Sequence, residues 1–500
     1  MPELVFLSVF WWLMAGAGRV ALLADGDTGW HIRIGEWILS EGKFPTRDMF
    51  SYSRPGAEWF AWEWLSDLVL ALVHQSLGLA GVALVACVLI AATSAVLQAR
   101  LEWHGAPVLV ALIVMLVAAS ASTIHWLARP HMFTYFLFAA ALWMLESDHR
   151  RPSRRLWWLV PLAALWTNLH GGFLVLLGAI GCYAAGAACG GDWRQARRYT
   201  LVAAAALTAT LVNPYGPRLH LHIARYLSSD FIRDRVVEFQ SPRFRGESML
   251  AFEVLLLAGL LVAARLWRRG ERGAAILVVA MAHASLGSVR HVLLYVIAAA
   301  PAVAGEAGRW IGASRNPWIR TLAAVGSGPA AGGARALPVV GLASIAAVAG
   351  LVWAGHPRWA IADFPKEKFP LAAVQAAEKN GLGQRIFTSD QWADYLLYRH
   401  WPRLRVFFDG RSDFYGPELG GQYLDAMTAQ HRWERVFVQH GFDVALLPAD
   451  WPLASVLKAR PDWRLDYDDG QALVLRRVSH RSAASANLST PRGEKGNTIR

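Results

Sequence analysis

Residues 79–98 decide the fold class, because they read LAGVALVACVLIAATSAVLQ and contain no charged side chain. A helix needs about 20 apolar residues to cross the hydrocarbon layer of a membrane. The whole chain is similarly apolar, since 55% of its 500 residues are hydrophobic and only 17% are charged. One soluble core could not hide so much apolar surface. The sequence therefore predicts a polytopic α-helical membrane protein.

Comparable apolar runs extend outward from residues 79–98 in both directions. We predict eleven membrane spans, near residues 4–24, 79–98, 106–127, 131–147, 156–170, 172–190, 199–213, 250–267, 274–288, 291–306 and 337–354. The first run lacks a basic leading region, which favours an uncleaved anchor over a signal peptide. Residues 64–77 are apolar but short and carry Asp67 and His74, so we predict a helix that lies along the membrane surface. Counting that segment as a span would reverse the orientation of everything after it.

Arginine clusters give the predicted orientation. They fall in the loops at residues 150–155, 194–198, 265–272 and 309–320, and one threading places all of these loops on the same side. Because positive loops stay cytoplasmic, this threading predicts a cytoplasmic N-terminus in a cell inner membrane. It also accounts for the net charge of +12. Basic residues never line one face with interleaved aromatic side chains, so we predict no nucleic-acid partner.

The predicted domains follow from a change of pattern after the last span. Residues 1–355 form the transmembrane domain, in which residues 25–78 are the first outer loop with surface helices, and residues 356–383 form a linker. Short alternating runs then predict a small extracytoplasmic α/β domain over 384–478, with strands at 385–388, 405–408, 444–447, 463–467 and 472–476. The polar tail 479–500 is predicted to be disordered. The three cysteines lie in apolar runs and indicate no disulfide framework.

Candidate catalytic and metal-binding residues are most closely spaced in the run from Asp25 to His31, which reads DGDTGWH and follows the first span. The carboxylates of Asp25 and Asp27, with the His31 imidazole four residues further on, could hold a divalent metal or supply a general base. The alternative is that Asp25 or Asp27 caps the helix that starts near Trp30. The tryptophans of this loop are typical of a membrane-interface belt, and as a group they also suit stacking on sugar rings.

Polar residues recur where other spans end on the same outer side. They include Arg129, His131, Asn168, His170 and Arg290. Each one alone is typical of a helix end that meets lipid headgroups. Ionisable groups are costly at membrane depth, so their coincidence on one side predicts a basic pocket for a lipid-linked phosphate or pyrophosphate.

The C-terminal domain contributes one more candidate. A predicted strand ends in Asp409-Gly410-Arg411, which would place the Arg411 side chain at a sheet edge where ligands often bind. The alternative is an internal salt bridge between Arg411 and either Asp409 or Asp413.

Several of these motifs together resemble one family. The chain resembles the bacterial multi-spanning GT-C-type glycosyltransferase-like membrane proteins in DGDTGWH (25–31), Gly35, Ile38, Pro45, Asp48, FSY (50–52), EWL (63–65), NLHGG (168–172), NPYG (213–216) and DGR (409–411). The resemblance extends to about residue 477. It implies a GT-C-like fold and transfer of a hexose or pentose from a polyprenyl-phosphate donor to a glycan, lipid or protein acceptor.

The resemblance also implies roles for individual residues. Asp27 matches the acidic residue that activates the acceptor or binds metal, with Asp25 as second choice, while Thr28 stands where the wider superfamily commonly has Glu. Arg129, His131 and Arg290 would neutralise the departing phosphate. His31, Asn168, His170 and the tryptophans, Trp30 among them, would orient the sugar, and the domain that carries Arg411 would shape the acceptor entrance. A divalent metal is a possible cofactor.

Two other functions fit the same pattern. A flippase for a lipid-linked saccharide would also need an aromatic, basic cavity, although a transporter should carry polar residues through the membrane midplane. A non-catalytic membrane scaffold could retain the fold without the chemistry. Asp25 and Asp27 separate these hypotheses, because an enzyme needs them and a scaffold does not.

Overall fold

The protein is described by a computed structural model that covers residues 1–16, 18–324, 337–360 and 362–478. The chain forms two compact units. The helical unit comprises residues 1–47 and 58–365, and the sheet unit comprises residues 48–57 together with the chain from Lys366 onward. The predicted tail 479–500 lies outside the described residues.

The helical unit is built from helices of very unequal length. In chain order they are α1 (Pro2–Ala15), α2 (Gly18–Ala21), α3 (Asp27–Glu41), α4 (Trp64–Trp103), α5 (Val108–Ser122), α6 (His131–Arg150), α7 (Leu159–Leu169), α8 (Leu174–Cys189), α9 (Trp193–Ala209), α10 (Pro217–Ser228), α11 (Asp230–Arg235), α12 (Glu247–Arg268), α13 (Arg272–Gly287), α14 (Val292–Ala313), α15 (Pro317–Ala324), α16 (Leu337–Trp353) and α17 (Pro357–Ala360).

The helical unit is membrane-embedded. Within the described residues, five segments are long and apolar enough to cross a membrane: Trp64–Trp103, Val108–His125, Gly171–Cys189, Met249–Arg268 and Val289–Ala313. Helices α1, α13 and α16 are apolar but shorter. A helix lies at each of the eleven predicted positions, while the count of eleven spans stays a prediction. Large apolar side chains such as Leu116 and Leu261 are more than two-thirds exposed, which suits contact with lipid.

One predicted helix changes and a second predicted boundary agrees with the structure. The first apolar run is divided, because α1 ends at Ala15 and only the short α2 follows it. Gly16 and Gly18 flank the break, and glycine disfavours a helix interior. Within α4, Gly78 has φ 61° and ψ −161°, which separates residues 64–77 from the longer helix that follows. The segment predicted as a surface helix is therefore a distinct helical piece.

A glycine sets the contact between α3 and α4. A Cβ atom on Gly35 would lie 2.0 Å from the Asp67 carbonyl oxygen and 2.6 Å from the Ala71 Cβ atom, so only glycine permits this approach. Helix α3 ends at Gly42, whose left-handed φ of 65° allows its N–H to bond the Ile38 carbonyl. This close packing brings the first turns of α3 against the start of α4.

The sheet unit is a small α/β structure. Its elements are α18 (Leu371–Lys379), β1 (Ile386–Phe387), α19 (Asp390–His400), α20 (Ser412–Met427), α21 (Trp433–His440), β2 (Val444–Pro448), α22 (Pro452–Lys458), β3 (Trp463–Asp468) and β4 (Ala472–Arg477). The strand order is β1-β2-β4-β3, with β1 parallel to β2 and the other neighbours antiparallel. The middle strands β2 and β4 are buried along most of their length, so the core lies between them and the helices.

Residues 48–57 complete the sheet unit, although they come from the predicted first outer loop. The predicted strand at 405–408 does not join the sheet, because Val406 instead forms an isolated parallel bridge with Ser51. The Ser53 hydroxyl donates to the Phe407 carbonyl at 2.5 Å, and the Tyr52 hydroxyl donates to the Ile386 carbonyl at 3.1 Å. Helix α18 lies in the stretch predicted as a linker.

Candidate active site

Asp25 and Asp27 lie at the start of α3. The helix begins at Asp27, and its N-cap residue is Gly26, so neither aspartate occupies the capping position that the alternative prediction gave it; the Asp27 backbone N–H donates to Asp25 Oδ1 at 3.0 Å. The Trp30 indole N–H donates to Asp27 Oδ1 at 3.3 Å. Both aspartates are less than one-tenth exposed. These two bonds use Oδ1 of each aspartate and leave the Oδ2 atoms for other partners.

Arg129 forms ion pairs with the Oδ2 atoms of both aspartates. Its guanidinium lies 2.9 Å from Asp25 Oδ2, 2.6 Å from Asp27 Oδ2 and 2.6 Å from Glu238 Oε1. Its neighbour Ala128 is held on both sides, because its N–H bonds the Leu22 carbonyl and its carbonyl accepts from the Thr28 hydroxyl. The arginine is thus fixed by the backbone as well as by its ion pairs.

Arg290 extends this cluster through the second oxygen of Glu238. Its Nη2 and Nε atoms lie 2.6 and 2.7 Å from Glu238 Oε2, and its Nη1 donates to the Tyr226 hydroxyl at 3.1 Å. The Glu238 carboxylate thus bridges two guanidinium groups. We call Asp25, Asp27, Arg129, Glu238 and Arg290 the carboxylate–arginine cluster.

The electrostatics of the cluster favour one titrating carboxyl near neutral pH. Burial raises the pKa of Asp27 to about 7, although the Arg129 charge beside it acts in the opposite direction. Burial also disfavours the charged form of Glu238, but Arg129 and Arg290 hold its pKa well below the usual range. Asp27 is therefore a carboxyl that can accept a proton at physiological pH, whereas Glu238 stays ionised.

A second chain of polar groups starts one turn further along α3. His31 Nδ1 lies 2.6 Å from Asp67 Oδ1, and its Nε2 faces Glu63 Oε2 at 3.6 Å. Glu63 Oε1 in turn faces His170 Nε2 at 3.4 Å. The His31 ring stacks on Trp30, with ring centroids 3.6 Å apart. Trp30 therefore touches both polar groups of the site, through its N–H on one side and its ring on the other.

Hydrogen bonds determine which ring nitrogen of His170 carries the proton. Its Nδ1 accepts the Gly172 backbone N–H at 2.9 Å and lies 2.8 Å from the Thr134 hydroxyl, which itself accepts from the Trp166 indole at 2.7 Å. Burial lowers the pKa of His170 to about 3, so the ring is neutral and carries its proton on Nε2. That proton points toward Glu63, whose own pKa burial raises to about 8.

Other predicted site residues are engaged in structural bonds. The Asn168 amide donates to the Ala164 and Val212 carbonyls at 2.7 and 2.8 Å and accepts from the Trp64 indole at 2.8 Å. His131 Nε2 lies 3.0 Å from the His125 carbonyl. These bonds tie neighbouring helices together, and the predicted contacts of both residues with substrate stay predictions.

Arg411 belongs to the sheet unit and is 3% exposed. Its guanidinium bonds Asp409 at 2.9 and 2.7 Å and Asp48 at 2.8 Å, and Tyr415 donates to Asp409 at 2.7 Å. The alternative prediction of an internal salt bridge with Asp409 is therefore confirmed. A role for Arg411 in binding substrate would require this buried network to open.

Sequence reasoning missed the residues that join the predicted ones. Glu63 belongs to the EWL motif (63–65), but no role was predicted for it. Asp67 was predicted only as a charged residue in the apolar segment 64–77. Glu238 lies in a short 3-10 helix, Val237–Phe239, within a stretch that carries no motif, and Thr134 lies in the apolar helix α6. The basic pocket predicted from Arg129 and Arg290 is in fact mixed in charge, because carboxylates pair with both arginines.

A cavity opens among α4, α5, α6 and α14. It is lined by Ile90, Thr93, Ser94, Leu97, Met115, Ala119, Ser122, His125, Trp126, Met132, Tyr135, Leu293 and Ile297. Most of these side chains are apolar. His125, at one end of the lining, bonds the Val289 carbonyl at 2.9 Å beside Arg290. His125 thus connects the cavity lining to the residue that precedes Arg290.

No protein-family model and no curated protein sequence matches the chain. Solved structures do match it. The apo oligosaccharyltransferase of Archaeoglobus fulgidus aligns with 88% of this chain and 69% of its own at 12% identity and a TM-score of 0.50. Oligosaccharyltransferase AglB from the same archaeon, in complex with an inhibitory peptide and a dolichol-phosphate, aligns with 93% and 74% at 12% identity and a TM-score of 0.55.

A third structure adds an acceptor to the comparison. The A. fulgidus oligosaccharyltransferase tethered to an acceptor peptide with the NVT sequon aligns with 95% of this chain and 74% of its own, at 13% identity and a TM-score of 0.52. These neighbours are archaeal, so the bacterial source implied by the resemblance stays a prediction. The chain thus shares the GT-C-type fold of membrane oligosaccharyltransferases.

Proposed function

We propose that the protein is an inverting membrane glycosyltransferase that takes a sugar from a polyprenyl-phosphate carrier. The observation that carries the proposal is the buried Asp27 carboxyl, held beside Arg129 at the start of α3 on a fold shared with oligosaccharyltransferases. The acceptor is a glycan, a lipid or a protein. The site would face the outer side of a cell inner membrane, as the arginine clusters predict.

In this proposal Asp27 accepts the proton of the acceptor group as that group attacks the anomeric carbon. The bond between the anomeric carbon and the phosphate oxygen breaks, and the phosphate departs with the electron pair. Arg290 is one-third exposed, so it faces the incoming phosphate more openly than Arg129 does. Its charge, with that of Arg129, would stabilise the negative charge that grows on the phosphate in the transition state.

The surroundings supply the remaining parts. The apolar side chains that line the cavity among α4, α5, α6 and α14 would contact the hydrocarbon chain of the carrier, and His125 in that lining bonds the Val289 carbonyl next to Arg290 in sequence. Trp30 and His31 would contact the sugar, and the polar chain through Glu63 would hold His170 in one orientation. A dolichol-phosphate and a peptide bound to one neighbour support this class of donor and a peptide as one kind of acceptor.

The test is mass spectrometry of glycans, glycolipids and glycoproteins from a deletion strain complemented with wild type or a variant. Asp27→Asn should reduce product formation at least about 100-fold, which is the usual contribution of a general base. Asp25→Asn should lose less, because it positions Asp27 without taking the proton. Asp230→Asn changes an exposed acid in an outer segment and is the matched control.

Membrane levels of each variant must equal those of wild type. If Asp27→Asn restores the product as well as wild type does, Asp27 is not the base. If no glycosylated product depends on the gene at all, a flippase or a scaffold replaces the transferase.

A further inference from the structure

The donor set around Arg129 resembles that of a divalent metal. Carboxylate oxygens of Asp25, Asp27 and Glu238 converge on one cation from two separate parts of the chain, at 2.6 to 2.9 Å. Magnesium and manganese select such oxygen ligands, usually from carboxylates. Here the cation at the centre is a guanidinium that the protein itself supplies.

The two aspartates, as they stand, do not fit a metal. Arg129 bonds both Asp25 Oδ2 and Asp27 Oδ2, so its guanidinium occupies the place between them that a shared metal would take. Across the described parts of the chain, no three His, Cys, Asp or Glu side chains are arranged to hold a metal ion. The divalent metal that the family resemblance implies would therefore have to expel a buried arginine.

We propose that Arg129 is the resident cation of this site and stands in place of a divalent metal. The inference deepens the proposed function and rests on it for the identity of the site. It makes the site independent of added metal, and it predicts that the carboxylates of Asp25, Asp27 and Glu238 can close around a metal ion once the guanidinium between them is removed.

The charges support this assignment. Asp25, Asp27 and Glu238 carry up to three negative charges, which Arg129 and Arg290 reduce by two. A guanidinium keeps its charge at every physiological pH, and its planar fork can bond several carboxylates at fixed angles. A metal bound in addition would lie against two positive groups. Once Arg129 is removed, the same carboxylates repel one another, which favours binding of a divalent cation.

The backbone around Arg129 also suits a permanent position. The Ala128 N–H bonds the Leu22 carbonyl at 2.7 Å, and the Thr28 hydroxyl donates to the Ala128 carbonyl at 3.0 Å. These bonds attach the arginine segment to both ends of the Asp25–Asp27 turn. The cation and its carboxylates therefore form one rigid arrangement before any substrate arrives.

The experiment titrates Mn²⁺ into the purified full-length protein in detergent and follows free Mn²⁺ by electron paramagnetic resonance. Wild type should leave the Mn²⁺ signal unchanged. Arg129→Met should bind about one Mn²⁺ per chain through the freed carboxylates. Adding Asp27→Asn to Arg129→Met should weaken that binding at least about tenfold, because one carboxylate ligand is lost.

Two variants serve as matched controls. Arg290→Met removes the other guanidinium from Glu238 but leaves Arg129 in place, so it should gain no Mn²⁺ site. Arg129→Lys keeps a positive charge among the carboxylates and should also bind none. Size-exclusion profiles and unfolding temperatures identify variants that are not folded, and Mn²⁺ should raise the unfolding temperature of Arg129→Met alone.

The measurement on wild type needs no variant to fold. One Mn²⁺ bound per wild-type chain and lost in Asp27→Asn would overturn the proposal. A folded Arg129→Met that binds no Mn²⁺ would overturn it as well, since the carboxylates would then not form a metal donor set. Mn²⁺ binding is read without turnover, so failure of the glycosyltransferase proposal is recognised separately, by unchanged glycan profiles.

Discussion

Asp27 differs from an ordinary surface aspartate because burial raises its pKa to about 7, against the opposing charge of Arg129. If Asp27 is the base, its deprotonated form limits the rate below that pH. Transfer activity should therefore rise about tenfold per pH unit up to pH 7 and level off above it. Rates measured from pH 5.5 to 8.5 in purified protein check this dependence.

A variant of the neighbour sharpens the prediction. The Asp25 charge contributes to raising the pKa of Asp27, so Asp25→Asn should move the midpoint of the profile to lower pH. A profile that is flat from pH 5.5 to 8.5 in wild type would contradict the assignment of Asp27 as a titrating base.

The raised pKa of Glu63 leads to a prediction about protein stability and not about the reaction rate. Burial raises its pKa from an ordinary 4.5 to about 8, so between these values the folded protein binds a proton that the unfolded chain releases. The stability from the neutral carboxyl is complete below pH 4.5 and is lost as the pH rises toward 8. Glu63→Gln stays neutral, so relative to wild type it should gain up to about 1.4 kcal/mol per pH unit over this window.

Thermal unfolding of both proteins at pH 5 and pH 8 measures this difference. The groups that face Glu63 are His31, His170 and the Gly171 N–H, with the charges of Arg129, Arg290, Asp27 and Asp67 nearby. Glu36 on α3 is the control, since bonds from His74 and Arg33 lower its pKa although burial opposes them. Glu36→Gln should be destabilising at pH 8, and equal behaviour of the two variants would refute the argument.

At the scale of elements, the crossing of α3 and α4 depends on Gly35. Gly35→Ala would force the helices apart, because the added Cβ atom meets the Asp67 backbone at 2.0 Å. We expect a loss of about 1–3 kcal/mol, as for other overpacked contacts, and lower activity because His31 and Asp67 separate. Gly178→Ala in α8 adds a methyl group into open space and should be neutral. Unfolding temperature and transfer rate are the measurements.

The elements themselves were largely predictable, whereas their contacts were not. Apolar length alone placed a helix at each predicted span, and alternating patterns located β2, β3 and β4. The predicted strand at 405–408 failed because its partner, Ser51, lies more than 350 residues away in sequence. Local pattern carries no information about such pairing.

The site shows the same limit. Arg129 and Arg290 were predicted to lie together because both follow apolar spans on one side. Glu238 could not be placed, because the short stretch around it has no periodicity that fixes where its side chains point. Its pairing with both arginines depends on tertiary packing, which converts a predicted basic pocket into one of mixed charge.

At the scale of the molecule, the sheet unit draws on two distant chain segments. Asp48 accepts the Ser51 N–H and hydroxyl at 2.9 and 2.7 Å and bonds Arg411 at 2.8 Å, all in the buried interior of that unit. Asp48→Ala leaves Arg411 with fewer partners and should cost about 3–5 kcal/mol. Asp468→Ala, which removes the exposed partner of Lys458, should cost less than about 1 kcal/mol.

Hydrogen exchange of the β2 and β4 amides reports on the sheet unit alone and distinguishes these outcomes. Protection should fall for Asp48→Ala and stay unchanged for Asp468→Ala. Equal protection in both variants would mean that the segment 48–57 is dispensable for this unit.

The shared origin of the sheet unit has a consequence for biosynthesis. Residues 48–57 leave the ribosome more than 300 residues before their partners beyond Lys366 are made. During that interval Asp48 has no arginine to pair with, and Phe50 has no aromatic neighbour to cover it. A nascent chain that stalls before Arg411 therefore exposes ten residues of an unfinished domain near its beginning. Such a chain would be recognisable to proteases as incomplete from its N-terminal region alone.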